Sequence, residues 1–168
     1  MYFIGKVNTN NDLNINLSNP QFPDSEFRID LRARETNEET NLCNCVGFVI
    51  DKYFKMIDRE IKSVNIQIYS SKEFYSCLDE ANETIKIDNV IFKTYKAPLI
   101  QCRKTGLGSS SCFIIGCIAS ILYSSSVDIN LNIVCSLSLV ANYMYSQKRG
   151  SGFDIITSVF GSNLFSKI

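Results

Sequence analysis

The spacing of apolar positions changes several times along the chain, and each change marks an element. The first forty residues are rich in Asn, Asp and Ser, with Pro20 and Pro23 close together, which predicts short strands joined by turns. Phe27, Ile29 and Leu31 alternate there with charged residues, as in a half-buried strand. Farther on the spacing becomes helical. Leu42, Cys45, Val49, Tyr53, Phe54 and Ile57 share one face of a predicted helix, with Thr40 or Asn41 placed to cap it. Val64, Ile66 and Ile68 return to alternation over residues 64–69, and residues 85–92 read as a further strand.

After Lys104 the pattern turns almost wholly apolar. Between Thr105 and Gln147 the one formal charge is Asp128, so this stretch must supply much of the buried surface. Two helices fit, over residues 109–123 and 129–146, the second with Leu131, Val134, Leu137, Leu139, Val140 and Met144 toward the core. Ser124, Ser125 and Ser126 form the turn between them. Gly150, Ser151 and Gly152 break the second helix, residues 153–160 restart one, Gly161 ends it, and residues 164–168 read as a strand. The whole is an α+β pattern over a single domain, residues 1–168, a mixed sheet backed by helices.

Composition narrows the chemistry. Lys+Arg 17 balances Asp+Glu 17, so nothing favours nucleic acid or an anionic membrane as a partner. The absence of histidine removes every Ser-His, Cys-His and His-metal arrangement. Carboxylates, lysines, hydroxyls and backbone dipoles remain. The seven cysteines (Cys43, Cys45, Cys77, Cys102, Cys112, Cys117 and Cys135) include no Cys-x-x-Cys pair, and four lie in apolar runs. Buried free thiols are expected rather than disulfides or zinc, which points to a reducing, cytoplasmic setting. The first residues lack the basic and apolar regions of a secretory signal, and the longest apolar run, about twelve residues, falls short of the roughly twenty that span a bilayer.

Two segments carry candidate chemistry. Lys104-Thr105-Gly106-Leu107-Gly108-Ser109-Ser110-Ser111 stands directly before an apolar helix. Its two glycines allow a sharp turn that brings N–H groups close to a ligand, and the helix start adds unpaired amides and the positive dipole end. The same turn also serves as a plain helix cap, with the serines as capping groups. It is not a Walker A loop, since no Gly-Lys-[Ser/Thr] follows at the right spacing. Gly150-Ser151-Gly152-Phe153-Asp154 is the second segment. A carboxylate at a helix start is stabilised by the dipole, and Asp154 is either a simple cap or a functional acid. Lys104, Lys148 and Arg149 flank the two segments, as solvated surface or as phosphate partners.

Together the segments resemble the signature of the GHMP kinase superfamily: a Gly-Leu-Gly-Ser-Ser loop capping a helix, and an aspartate downstream after a second glycine-rich turn. Lys104 to Ser111, and Gly150 to Asp154 followed by Phe160-Gly161-Ser162, are similar to the phosphomevalonate kinase form, the fungal type in particular. The run Asn65 to Ser76 is similar to the strand and Tyr-Ser loop before the glycine motif in that family. The resemblance covers about residues 27–168. It implies the N-terminal domain of a GHMP kinase, of the ribosomal protein S5 domain 2-like fold, and ATP-dependent phosphorylation of 5-phosphomevalonate to 5-diphosphomevalonate.

The resemblance further implies residue roles. Gly106, Leu107, Gly108, Ser109, Ser110 and Ser111 would hold the ATP phosphates, with Ser109 or Ser110 on Mg2+. Asp154 would be the catalytic carboxylate, with Lys104 beside it, and Lys148, Arg149 and Ser151 would meet the substrate phosphate. The chain departs from the family where Gly5-Lys6-Val7 is not followed by the expected Gly-Glu turn, and where no acid stands between Asp128 and Asp154. The expectation is an incomplete domain, lacking the first strand and a C-terminal domain. A non-catalytic remnant and another GHMP kinase, such as mevalonate kinase, are the alternatives.

Overall fold

The computed structural model describes residues 3–9, 15–23, 25–29, 42–76, 80–98, 101–147 and 150–162. Four strands form the main sheet: β1 (Phe3–Thr9), β2 (Ile15–Ser18), β3 (Glu26–Ile29) and β4 (Val64–Ser70). Their order is β1-β4-β2-β3, with β2 parallel to β4 and the other neighbours antiparallel, so the sheet is mixed. Period-two alternation decides its faces. Ile15, Leu17, Ile29, Val64, Ile66 and Ile68 are buried on one face. In the opposite register Asn16 pairs with Arg28 and Asn65, and Ser18 with Glu26 and Gln67, which gives the other face two polar rows.

The apolar face is covered by α1 (Leu42–Met56) and α2 (Ser109–Ser124). Gly47 permits a close approach, since a Cβ there would lie 2.5 Å from Ile29 Cγ2. Over α1 and α2 lies α3 (Leu131–Ser146), and α4 (Phe153–Phe160) packs against α2 and α3. The cluster built from Ile50, Phe54, Ile66, Ile114, Ile118 and Ile121 is the centre of this α+β arrangement.

A second, smaller aromatic cluster supports the approach to the glycine segment. Strands β6 (Glu80–Ile87) and β7 (Val90–Tyr95) form a hairpin, and β5 (Tyr75–Ser76) pairs with β8 (Arg103–Lys104). Gln21 joins these pieces. Its Oε1 accepts from Ser70 N (2.7 Å), while Nε2 donates to Ser70 O (3.1 Å) and to Lys93 O (2.9 Å). Phe22 stacks on Tyr95 at 4.6 Å and meets the Tyr75 ring edge-on at 5.1 Å.

Several expectations need correction. Residues 85–92 are not one strand but the turn of the hairpin: Asp88 takes φ +51, and Ile87 pairs with Val90 across it. On α3, Leu131 and Val140 are exposed, while Val134, Cys135, Ser138 and Ala141 form the buried stripe. Cys43, Cys45, Cys117 and Cys135 are buried thiols outside any disulfide, as expected, and Cys112 is a half-buried one, but Cys102 is disulfide-bonded. That residue stands apart from the apolar helices, where two extended segments run side by side at the β5–β8 ladder. Thr40, Asn41, Leu31, Cys77 and the strand expected over residues 164–168 lie outside the described residues. No helix among the described residues is long and apolar enough to cross a membrane.

Candidate active site

The glycine segment is held at its entrance and open at its tip. Arg103 and Lys104 pair with Ser76 and Tyr75. Next, Thr105 N donates to Phe74 O (3.1 Å) and Thr105 Oγ1 to Glu73 O (2.7 Å). The chain then turns through Gly106 (φ +81) and Gly108 (φ +77), a left-handed region that costs an L-residue about 1–2 kcal/mol. A Cβ at Gly106 would meet nothing within 4 Å, and the Leu107 side chain is exposed.

Gly108 is the N-cap of α2, and no side chain caps the helix. The first bond of the helix runs from Cys112 N to Gly108 O (3.0 Å), so the amides of Ser109, Ser110 and Ser111 have no acceptor within α2. They are donors for an anion at the positive end of a 16-residue helix. Ser109 and Ser111 are buried, and Ser110 is half-buried with its hydroxyl accepting from Lys104 Nζ (3.0 Å).

Asp154 arrives from the second segment. Gly152 (φ +67) caps α4, Phe153 N donates to the exposed Ser151 Oγ (3.3 Å), and Asp154 is the acid of the first turn. α4 brings its start against the start of α2: a Cβ on Gly108 would lie 3.3 Å from Asp154 Cβ, and Ser111 Oγ donates to Asp154 Oδ2 at 3.3 Å. Two residues 43 positions apart in sequence thus meet. Ser158 Oγ donates to Asp154 O, and the Cys112 thiol lies 3.4 Å from Ser158 Oγ.

The structure therefore joins Lys104, the loop from Gly106 to Ser111, and Asp154 in one place, with Ser151 at the base of the second turn. The Lys104 ammonium reaches Ser110 rather than the carboxylate. Lys148 and Arg149 lie outside the described residues. Sequence reasoning did not reveal the Ser111 to Asp154 contact or the hold of Ser158 on the Asp154 carbonyl. The second had a signal, a serine four residues after the aspartate on the same helix, the spacing at which a hydroxyl reaches back to a carbonyl.

Electrostatically the site is two helix starts converging on one carboxylate. Each start carries roughly half a positive charge, so a polyanion is the complementary ligand. The donor set fits phosphate groups, with uncapped amides, two left-handed glycines and open space beside Gly106. No group of three or more His, Cys, Asp or Glu residues able to hold a metal exists among the described residues. The hydroxyls and single carboxylate fit a Mg2+ ion that is carried mainly by a nucleotide's own oxygens.

No protein-family model matches the chain. It is 25% identical over 163 residues to a phosphomevalonate kinase of Candida albicans, covering 91% of this chain and 37% of that protein. A phosphomevalonate kinase of Saccharolobus solfataricus is 27% identical over 122 residues, covering 73% of this chain and 30% of that protein. The chain thus spans about a third of the length of these relatives. Among solved structures it is similar to a mevalonate kinase (TM-score 0.57, 14% identity, 94% of this chain and 41% of that one). It is also similar to a D-glycero-D-manno-heptose 1-phosphate kinase from Bacteriodes thetaiotaomicron (TM-score 0.54, 14% identity, 95% and 42%). The chain is thus similar in sequence to two phosphomevalonate kinases and shares its fold with two solved small-molecule kinases.

Proposed function

We propose that this chain forms the nucleotide-phosphate side of an ATP-dependent phosphomevalonate kinase. The observation that carries the reading is the convergence of the uncapped α2 start with Asp154. Amides 106–111 hold the nucleotide phosphates, and Lys104, already at Ser110, is a cation beside the loop. Mg2+, brought with ATP, supplies neutralisation of the phosphate charge, with Ser109 or Ser110 as its protein contact.

The acceptor in this reading is 5-phosphomevalonate, whose phosphate is ionised near neutral pH. Asp154 therefore orients the acceptor and places charge, more than it takes a proton. Positioning and electrostatics dominate phosphoryl transfer, and both are properties of a rigid loop and two fixed helix starts. Ser151, Lys148 and Arg149 complete the proposal as contacts to the acceptor phosphate.

The test measures nucleotide binding and ADP release with 5-phosphomevalonate and with mevalonate as competing acceptors. Transfer to 5-phosphomevalonate is expected once the chain is extended to the length of its relatives, the 168 residues alone being inactive or nearly so, and Asp154→Asn should then lower turnover by about 10² to 10⁴ with ATP binding largely kept. Preference for mevalonate would move the assignment to the neighbouring kinase. Loss of nucleotide binding from the wild-type chain would remove the phosphate-loop reading altogether.

A further inference from the structure

Ser111 holds a position that a ligand-binding role leaves unexplained. The residue is 3% exposed, in the first turn of α2, where a serine hydroxyl can cap the helix or bond a nearby carbonyl. It instead crosses to another helix and donates to Asp154 Oδ2. The aspartate is fixed at its backbone as well, since Ser158 Oγ donates to its carbonyl and Ser158 in turn meets Cys112, the residue after Ser111. Asp154 itself is exposed, so an unrestrained carboxylate would sample several rotamers.

We infer that Ser111 is a positioning residue: its hydroxyl fixes Oδ2 of Asp154 and so selects Oδ1 as the oxygen presented to the ligand. Among the described residues no hydrogen bond engages Oδ1, which leaves its lone pairs available. The inference rests on the reading of Asp154 as the acid of a transfer site, but the contact is measurable without catalysis. Restricting one carboxylate to one rotamer matters because small misplacements of a reacting group cost rate steeply, about 10²-fold for 1 Å.

The experiment compares the 168-residue chain with Ser111→Ala and Ser111→Cys. Alanine removes the hydroxyl, whereas cysteine keeps the volume and offers only a weak donor. The side-chain rotamer of Asp154 is read by NMR from its three-bond N–Cγ and C′–Cγ couplings, together with Tm. Single-rotamer couplings are expected in the wild type and averaged couplings in both variants. Tm should stay level or rise in Ser111→Ala, because alanine is the better helix former. Wild-type couplings in either variant would overturn the inference, cysteine having then shown that packing, not the hydroxyl, sets the rotamer.

Placed in a chain extended to the length of its relatives, with 5-phosphomevalonate as acceptor, both variants should lose about tenfold or more in kcat while KM for ATP stays within about twofold. That split separates orientation of the acid from nucleotide binding. A released rotamer with unchanged kcat would also overturn the inference. If a chain extended to the length of its relatives transfers no phosphate to 5-phosphomevalonate, the kinase reading fails by itself and the couplings still decide the part played by Ser111.

Discussion

The turns at Gly108 and Gly152 use the same backbone conformation, φ +77 and +67, to start α2 and α4 without a side-chain cap. Their surroundings differ. Before Gly108 the chain is open, with nothing within 4 Å of a Cβ at Gly106, and Gly108 itself faces Asp154. A Cβ at Gly152 would sit 2.5 Å from Leu139 Cδ2, inside the packing between α3 and α4. α3 offers the contrast, since Asn130 caps it in the ordinary way, Oδ1 accepting from Asn132 N at 2.8 Å. One glycine therefore serves access and the other serves packing, although both read alike as helix-opening glycines.

The sharpest way to break this distinction is Gly152→Ala. The substitution adds the left-handed penalty of about 1–2 kcal/mol to an overpacking cost of about 1–3 kcal/mol, so a loss of about 2–5 kcal/mol is expected in chemical denaturation. Leu139→Ala in the same chain should return part of that loss, the coupling expected of residues in contact. Strict additivity of the two changes would show that Gly152 is not a packing glycine.

Gly108→Ala should do less to stability and more to binding. Its Cβ would lie 3.3 Å from Asp154 Cβ, a contact that a small shift of α4 relieves, so about 1–2 kcal/mol of backbone strain is the main cost. That shift moves Asp154 away from the loop, and ATP affinity should fall about tenfold or more by titration calorimetry. A destabilised chain with unchanged nucleotide affinity would place both glycines in the packing class.

How much of this could be read in advance follows the physics of each region. The starts of α2 and α4 and the end of α4 at Gly161 were legible because glycines and serines stand at the junctions of long apolar runs. The hairpin was not, because apolar residues continue on both sides of its turn: Ile85 and Ile87 before it, Val90 and Phe92 after it. The face of α3 was ambiguous for a related reason, since a segment without charge has apolar residues all round and Leu131 and Val140 look as buried as Val134. At the site, the loop and the acid were visible as local motifs. Their meeting was not, because a contact across 43 residues is a property of helix packing.

The smallest effect probes the packed side of the comparison from below. Burial pushes the Cys43 thiol up to about 12, with Cys45 adding to it, and Cys117 on α2 is raised by burial and by Cys43. A thiol whose ordinary value is 9.0 in the unfolded chain and about 12 in the folded one binds more protons when folded between those limits. Its contribution is full well below pH 9, begins to fall near pH 8 and is lost as pH rises toward 12. Between pH 8 and 9 the loss is about 0.4 kcal/mol for Cys43, seen as a lower denaturation midpoint, and Cys43→Ser should flatten that slope. Alkylation at pH 8 with mass-spectrometric readout should leave Cys43 and Cys117 unmodified in the folded chain, since the reactive thiolate is scarce and enclosed. Rapid modification of either thiol in native protein would mean that the layer between α1 and α2 opens readily, and the rigid packing behind the Gly152 turn would lose its support.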